Sequence, residues 1–505
     1  MCPELYPAAW SSERGRHPRL IEGIPQLGTS HCKIIYQPRI GLLHWFRSKS
    51  SYTYFLRAYE VSDSMKFSKY NLIFEDKEKK HILFNTLSGH SFYVSDDIVI
   101  AITEGDPTAL DFATQKSFTN YGIIIDDHID ETRLFSYFHN KSKFASPSVS
   151  ATVLLTWACN FSCVYCFEGA GETTNVMTQE SADKFIRFMI RLAETRNAKS
   201  MYINLFGGEP LVNIKQGFYI LENLKKYCDS HGISLFCGII TNGSLITSEI
   251  IDKLLYYNCT MVQITLDGTK DVHDARRPYK NGKGSFDDII CAIKLLSKVS
   301  NKLRTIIRIN IDKTNTTEAV NLLRYLGNNG EGLTMCGIDF GIVRGSTSAC
   351  SAYSGNCYID YEIGDVLEYL WNEAEKQGFL MHTNPFQRWM YCGLYSDGQY
   401  TVTPDCNVYK CWEHAGMDEH RMGEIGDDGS LVNVSFALYD WMSKNPLEDK
   451  DCRECVYLPA CGGGCGVVSY NETGTYHAKG CFKVKGVLEK QIQRFALEVA
   501  NKAKK

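Results

Sequence analysis

The sequence predicts an α/β fold: a partial (β/α)6 TIM-like barrel, preceded by a small α+β unit and followed by a cysteine-rich extension. Three observations lead there. Between about Ser150 and Gly378, short β-branched and aromatic runs alternate six times with amphipathic helical segments. Consecutive β-α units require parallel strands with helices outside, right-handed crossovers curl the sheet, and six units are too few to close an eight-stranded barrel. Cysteines gather in two fields, three from Cys159 to Cys166 and eight from Cys392 to Cys481, the second beyond the last unit.

Taken in order, the front of the chain (NLIFEDKEKKHILFNTLSGHSFYVSDDIVIAI, then NYGIIIDDHIDE) reads as short strands, a helix and a closing strand. Residues 140–149 (NKSKFASPSV) read as a linker. The barrel strands are TVLLT, MYINLF, ISLFCGII, TMVQITL, RTIIRINI and TMCGIDFGIV. Between them apolar residues recur at helical steps, as with Phe185, Phe188, Met189 and Leu192. Helix caps are expected at Thr178, with Ser181, and at Ser248. The last segment, VLEKQIQRFALEVANKAKK, is helical with a basic end that suits the helix dipole. The expected units are 65–140, 150–380, 385–485 and 486–505, with 1–64 unassigned.

Of 505 residues, 44% are hydrophobic and 22% charged, and the net charge is −4. This is the balance of a soluble globular protein and gives no general affinity for nucleic acid or an anionic membrane. No stretch has the uninterrupted apolar length of a membrane span, and the first twenty residues lack an apolar signal core, so a cytoplasmic location is expected. Twenty cysteines without an export signal point to metal ligation before disulfides.

Cys159, Cys163 and Cys166 stand in the run CNFSCVYCFE, spaced C-x3-C-x2-C, with no fourth ligand beside them. A closed zinc site wants four protein ligands, whereas a cubane iron–sulfur cluster held by three thiolates keeps one iron open. Half of a zinc site is the alternative on spacing alone. With Tyr165 before the last cysteine, the run resembles the signature of radical S-adenosylmethionine (SAM) enzymes. The resemblance implies a 4Fe–4S cluster at these three cysteines. Its open iron would chelate SAM, and one electron would split the sulfonium to methionine and a 5′-deoxyadenosyl radical. An electron donor such as a flavodoxin or ferredoxin is implied.

In such sheets chemistry lies at the C-terminal strand ends. Gly207, Gly208 and Glu209 follow the second strand, Asn242 the third and Thr265 the fourth, while Arg308 lies near the end of the fifth. Glycines let backbone approach a ligand closely. The resemblance assigns Gly207 and Gly208 to the SAM amino group, with Glu209 orienting it. By strand position Asn242 is a ribose contact and Thr265 or Arg308 a carboxylate contact; a turn cap or solvated side chain is the alternative at each. The stretch LDGTKDVHDARRPYKNGKGSF, basic through Arg276, Arg277 and Lys280, is similar to one in the peptide- and protein-modifying branch. It reads either as a solvated loop or as an active-site lip touching a peptide.

Cys452, Cys455, Cys461, Cys465 and Cys481 read C-x2-C-x5-C-x3-C-x15-C, with Cys392, Cys406 and Cys411 upstream. This resembles the SPASM extension, which houses two auxiliary 4Fe–4S clusters and brings the expected total to three; a zinc ribbon is the alternative. The resemblance implies a distal cluster on Cys452, Cys455, Cys461 and Cys481, and a nearer one on Cys392, Cys411 and Cys465. Cys406 stands where the family usually has glycine, and is either an added ligand or leaves that site open to substrate. Glycines 462, 463, 464 and 466 are expected to wrap sulfur and donate N–H bonds to it. In the sulfatase-maturing branch an Asp follows the cysteine matching Cys411; here Trp412, Glu413 and His414 follow it.

The front unit resembles the winged-helix leader-recognition domain of peptide maturases, in which a leader peptide adds a strand to a sheet edge. A structural cap on the barrel is the alternative. Residues 1–64 show no sustained period and are expected to be dispensable or a misassigned start. The whole implies a radical SAM enzyme that forms a thioether or carbon–carbon crosslink in a ribosomally made peptide. Formylglycine formation on a protein and a non-catalytic zinc module are the alternatives.

Overall fold

Parallel strands buried on both faces form the centre of the molecule. The computed structural model describes residues 32–36 and 64–503, apart from 77, 329–331, 346–347, 359, 382–386, 483 and 485. In the front unit, β1 (Cys32–Tyr36), β3 (Asn71–Glu75), β4 (His81–Asn85) and β5 (Ser91–Val94) form an antiparallel sheet in the order β1-β5-β4-β3, beside a ribbon of β2 (Met65–Phe67) and β6 (Ile124–Asp126). Helices Asp96–Glu104 and Phe112–Asn120 cover it, the second capped by Asp111, which accepts from the Ala113 and Thr114 amides. Leu83, Phe92, Ile98, Phe118 and Ile124 fill the space between.

The first 64 residues lie almost wholly outside the described residues, yet β1 belongs to them. It runs antiparallel to β5, with Cys32 opposite Val94 and Lys33 opposite Tyr93. The β5 edge is therefore covered by the chain's own backbone, which argues against a dispensable segment.

The linker is shorter than expected. Helix Glu131–Phe144 continues through Asn140, and β7 begins at Ser148, leaving residues 145–147 between them. β7 (Ser148–Leu154), β8 (Ser200–Phe206), β9 (Ser234–Thr241), β10 (Cys259–Thr265), β11 (Arg304–Ile311) and β12 (Gly337–Ile342) are parallel and adjacent in chain order. β7 and β11, for example, are buried along nearly all of their length, as strands with both faces covered must be. In helix Gln179–Thr195, Phe185, Phe188 and Met189 are buried and Leu192 is partly buried against the same core. Its cap is Thr178, whose hydroxyl accepts from the Ser181 amide at 3.1 Å. At the helix after β9 the cap is Thr247, not Ser248: Thr247 is extended and accepts from the Ile250 amide, and Ser248 is already helical.

The cysteine-rich extension continues the barrel sheet. β13 (Gln399–Val402) lies parallel to β7, with Thr401 opposite Thr152, and β14 (Asn407–Tyr409), β15 (Gly423–Ile425) and β16 (Leu431–Val432) follow antiparallel. The first barrel edge is thereby closed without two further β-α units. The front unit rests on this extension. Phe84 packs with Tyr457, Ala460, Leu488 and Ile492, and Tyr70, Leu87 and Phe135 pack with Leu458. Among the described residues no helix is long and apolar enough to cross a membrane.

Two buried histidines give the front unit a pH dependence. Burial lowers His90 and His139 to about 4 from an ordinary 6.5. On acidification the unfolded chain protonates first, so stability present above pH 6.5 is lost as pH falls toward 4. The cost is about 3 kcal/mol per histidine. Urea midpoints measured from pH 7.5 downward should fall across that window, starting with the front unit.

Candidate active site

The cysteine triplet hangs on a loop zipped to the end of β8. The Gly208 amide donates to the Thr156 carbonyl and the Glu209 amide to the Ala158 carbonyl, both at 2.9 Å. A Cβ on Gly207 (φ +122°) would stand 2.3 Å from the Thr156 oxygen, and one on Gly208 2.4 Å from the Trp157 oxygen. The glycine pair thus serves a close approach of the chain to itself. Among the described residues no hydrogen bond ends on the Gly207 or Gly208 carbonyl, which leaves acceptors suited to an ammonium group beside the cysteines. Gly208→Ala should lower the unfolding midpoint by several degrees and weaken SAM binding at least about tenfold, because backbone cannot yield as a side chain can. Calorimetry and equilibrium dialysis of SAM check this.

Glu209 ties the end of β8 to the end of β9. Its carboxylate is fully buried and accepts from the Leu211 amide at 2.9 Å, the Thr241 hydroxyl at 2.7 Å and the Asn242 amide at 2.7 Å. Burial raises its pKa and these three donors oppose the rise. Asn242 is likewise engaged: its amide donates to Asn160 Oδ1 at 2.7 Å, and its oxygen accepts from the Ser244 amide and hydroxyl. It joins β9 to the cysteine loop, so a ribose contact would have to break this set. Arg308 pairs with Asp339 on β12 and donates to Asn310 Oδ1 at 3.0 Å. Thr265, buried at the end of β10, has no hydrogen-bond partner among the described residues and remains available.

Cys159, Cys163 and Cys166 are all half-buried. Burial pushes the Cys159 thiol up to about 11, with the Phe161 amide donating to its sulfur, and raises Cys163, where Arg277 opposes the rise. Beneath them lies a charged network. The Tyr165 hydroxyl donates to Asp267 and accepts from Arg277 at 2.8 Å and from the Asn310 amide at 3.1 Å. Arg276 faces Asp312 at 2.8 Å and Asp267 at 3.6 Å. Arg276 and Arg277 are 6% and 8% exposed, so these two are not solvated loop residues, whereas residues 280–284 of the same stretch are exposed. The stretch contains helix Lys270–Arg276 and continues under the triplet. Sequence reasoning missed the burial because two adjacent arginines look solvated; the acids that compensate Arg276 come from the ends of other strands.

In the second field, Cys461 feels Cys481, Cys452 and Cys455, and Cys452 feels Cys481 and Cys455. Burial pushes Cys452 and Cys461 up to about 12, and the Gly463 amide donates to the Cys461 sulfur. Gly464 bridges Gly480, where a Cβ would stand 2.0 Å from the Cys465 oxygen. Cys392, Cys465 and Cys411 all act on the Tyr395 hydroxyl, and Arg344, paired with Glu413 at 2.6 Å, sits by Cys465 and Cys411. Cys406 is elsewhere: at φ +66° it turns its thiol to the Ser181 carbonyl at 3.4 Å, in the barrel core beside Lys184. It is not grouped with Cys392, Cys411 and Cys465. Trp412 packs on Phe206 at 5.9 Å between ring centroids.

Lys444, missed by sequence reasoning, is 3% exposed and donates only to the Tyr476 and Ala478 carbonyls, at 2.6 and 2.8 Å. Burial lowers its pKa, while Cys452, Cys465, Asp449 and Cys461 raise it. A buried ammonium without a carboxylate pair suits an anionic thiolate group. Among the described residues no three His, Cys, Asp or Glu side chains converge on one point.

The radical SAM superfamily model matches residues 153–326. The chain is 33% identical over 362 residues to the mycofactocin maturase MftC of Mycolicibacterium smegmatis, covering 63% of this chain and 79% of that one. It is 28% identical over 339 residues to the cysteine-type anaerobic sulfatase-maturating enzyme of Clostridium novyi, covering 61% and 84%. The solved structure of native anSMEcpe with bound AdoMet and Cp18Cys peptide shares the fold, with a TM-score of 0.52 at 18% identity over 70% of this chain and all of that one. A three-cysteine loop on the first strand of an open parallel barrel, with this family match across the strands, leaves one assignment: the chain belongs to the radical SAM superfamily.

Proposed function

We propose that the chain is a peptide maturase that crosslinks a ribosomally made peptide through a thioether or carbon–carbon bond. Cys159, Cys163 and Cys166 would hold the SAM-binding 4Fe–4S cluster, Cys452, Cys455, Cys461 and Cys481 a distal auxiliary cluster, and Cys392, Cys411 and Cys465 a nearer one. When bound, the first cluster supplies the electron that splits SAM and starts hydrogen abstraction, drawn from a flavodoxin- or ferredoxin-like donor. The chain's own residues do the positioning. The Gly207 and Gly208 carbonyls accept from the SAM ammonium, and the Thr265 hydroxyl lies at the next-but-one strand end for its carboxylate. The buried walls exclude water.

The observation that carries this reading is the grouping of seven C-terminal cysteines, on loops and short helices of the extension that continues the barrel sheet, into neighbourhoods around Tyr395 and around Cys461. The maturases among its relatives support a peptide or protein substrate. Against formylglycine formation, the residue after Cys411 is the buried, apolar Trp412, and Glu413 is tied to Arg344. The test is anaerobic incubation with candidate precursor peptides taken from short reading frames neighbouring the gene, and separately with a sulfatase-motif peptide. Crosslinking predicts a mass loss of one pair of hydrogens in the first and no change in the second. Conversion of the sulfatase peptide alone would overturn it.

A further inference from the structure

The stretch 276–280 is laced along the cysteine loop. The Ser162 amide donates to the Pro278 carbonyl at 2.8 Å, the Val164 amide to the Arg276 carbonyl at 3.1 Å, and the Lys280 amide to the Asn160 carbonyl at 3.0 Å. Phe161 and Tyr279 face each other across this bridge, ring edge to ring face at 4.8 Å. Lys280 Nζ then reaches the Gly171 carbonyl at 2.9 Å, beyond the third cysteine. The strap therefore starts one residue after Cys159, spans Cys163 and Cys166, and gives the loop a second strand that its own sequence cannot supply.

Within the strap the two arginines differ. Arg276 is neutralised by Asp312 and Asp267. Arg277 forms no ion pair among the described residues. It donates to the neutral Tyr165 hydroxyl, lies 5.9 Å from the Phe161 ring centroid, and leaves its buried Nε without an acceptor. Of the thiols, Cys163 is the one its charge acts on most strongly, with Cys159 also in range. Asp267 and Glu209 also act on its charge, but neither pairs with it directly, and a guanidinium this deep without a directly paired carboxylate is costly unless a further anion lies beside it. The cluster that Cys159, Cys163 and Cys166 would hold would supply that anion.

We propose that Arg277 is a positioning residue for the cluster held by Cys159, Cys163 and Cys166: its fixed charge stabilises the added electron, and the strap that carries it holds the open loop in shape. The inference rests on the radical SAM assignment and concerns a residue outside the cysteine signature. The electron comes from the external low-potential donor, dithionite in the experiment below. It enters the cluster without breaking a bond in the protein, and the guanidinium keeps its protons throughout.

The test uses the full chain, reconstituted anaerobically, as parent, Arg277→Lys and Arg277→Gln. Iron and sulfide are counted, and the paramagnetic signal that shifts on adding SAM is followed during dithionite titration. Arg277→Lys should titrate with the parent. Arg277→Gln should need a lower potential, leaving about tenfold less reduced cluster at the parent's midpoint, as expected for removing one charge at this range in a partly buried site. If Gln loses iron while Lys keeps it, the charge is again the cause. Coincidence of all three titrations, equal shifts in both variants, or loss of iron from both would overturn the proposal in favour of shape alone. A parent without a SAM-sensitive signal would instead refute the family chemistry.

Discussion

Replacing Cys159, Cys163 and Cys166 together by alanine should reduce 5′-deoxyadenosine formation from SAM to the no-enzyme level, a loss of about three orders of magnitude or more. The three thiols lie on one loop, the loop zipped to Gly208 and Glu209 through Thr156 and Ala158. Cys406 cannot substitute, because its thiol faces Ser181 in the barrel core. The C-terminal sets are held by separate elements, so iron content should fall by only about one third, the share of one cubane in three. Equal loss of all iron would mean that the chain had unfolded. Alanine at Cys461 should spare SAM cleavage and remove iron from the distal set, separating the two fields.

The second large effect is expected at Asp267. Its carboxylate is fully buried, takes the Tyr165 hydroxyl and the Asn310 amide at 3.0 Å, and faces Arg276 at 3.6 Å. Asp267→Ala would strand a buried guanidinium and a buried phenol at once. Breaking a buried ion pair from one side costs about 3–5 kcal/mol, and Asp312 offsets part of this by holding the other edge of Arg276. Because Tyr165 lies between Cys163 and Cys166, the loss should appear at the cysteine loop. Urea unfolding should shift by several kcal/mol, and the variant should lose iron from the triplet faster than from the C-terminal sets. Asp267→Asn keeps the shape and one acceptor and should fall between. A variant as stable as the parent would show the network to be incidental.

Much of the barrel was legible because strand and helix periods are local. The six β-α units occur in the expected order, and Phe185, Phe188 and Met189 face the core. Thr247 was missed as a cap because Thr247 and Ser248 are equally good acceptors by type, and only the backbone angle at Thr247 decides between them. The parallel pairing of β13 with β7 joins residues far apart in sequence, for which no local pattern exists. Spacing could propose the cysteine sets, but it could not show that the Cys406 thiol turns to the Ser181 carbonyl, apart from the others. Cys406 belongs to the right interval and the wrong side of the sheet, which its left-handed backbone determines. Glu209 and Asn242 lie at the expected strand ends, but their partners within the chain, Thr241, Asn160 and Ser244, were not legible because they reach them only through folding. Arg277 was named only as part of a loop or lip, and Lys444 was not singled out, for a related reason: a buried cation is recognisable only once its enclosure exists.

The most direct test of the account is electron paramagnetic resonance of the anaerobically reconstituted, dithionite-reduced chain before and after adding SAM. A cubane signal that changes on adding SAM, and that is absent from the Cys159/Cys163/Cys166 alanine variant, is the predicted result. A reduced protein whose spectrum is indifferent to SAM, or whose SAM-sensitive signal survives loss of those three cysteines, would contradict it.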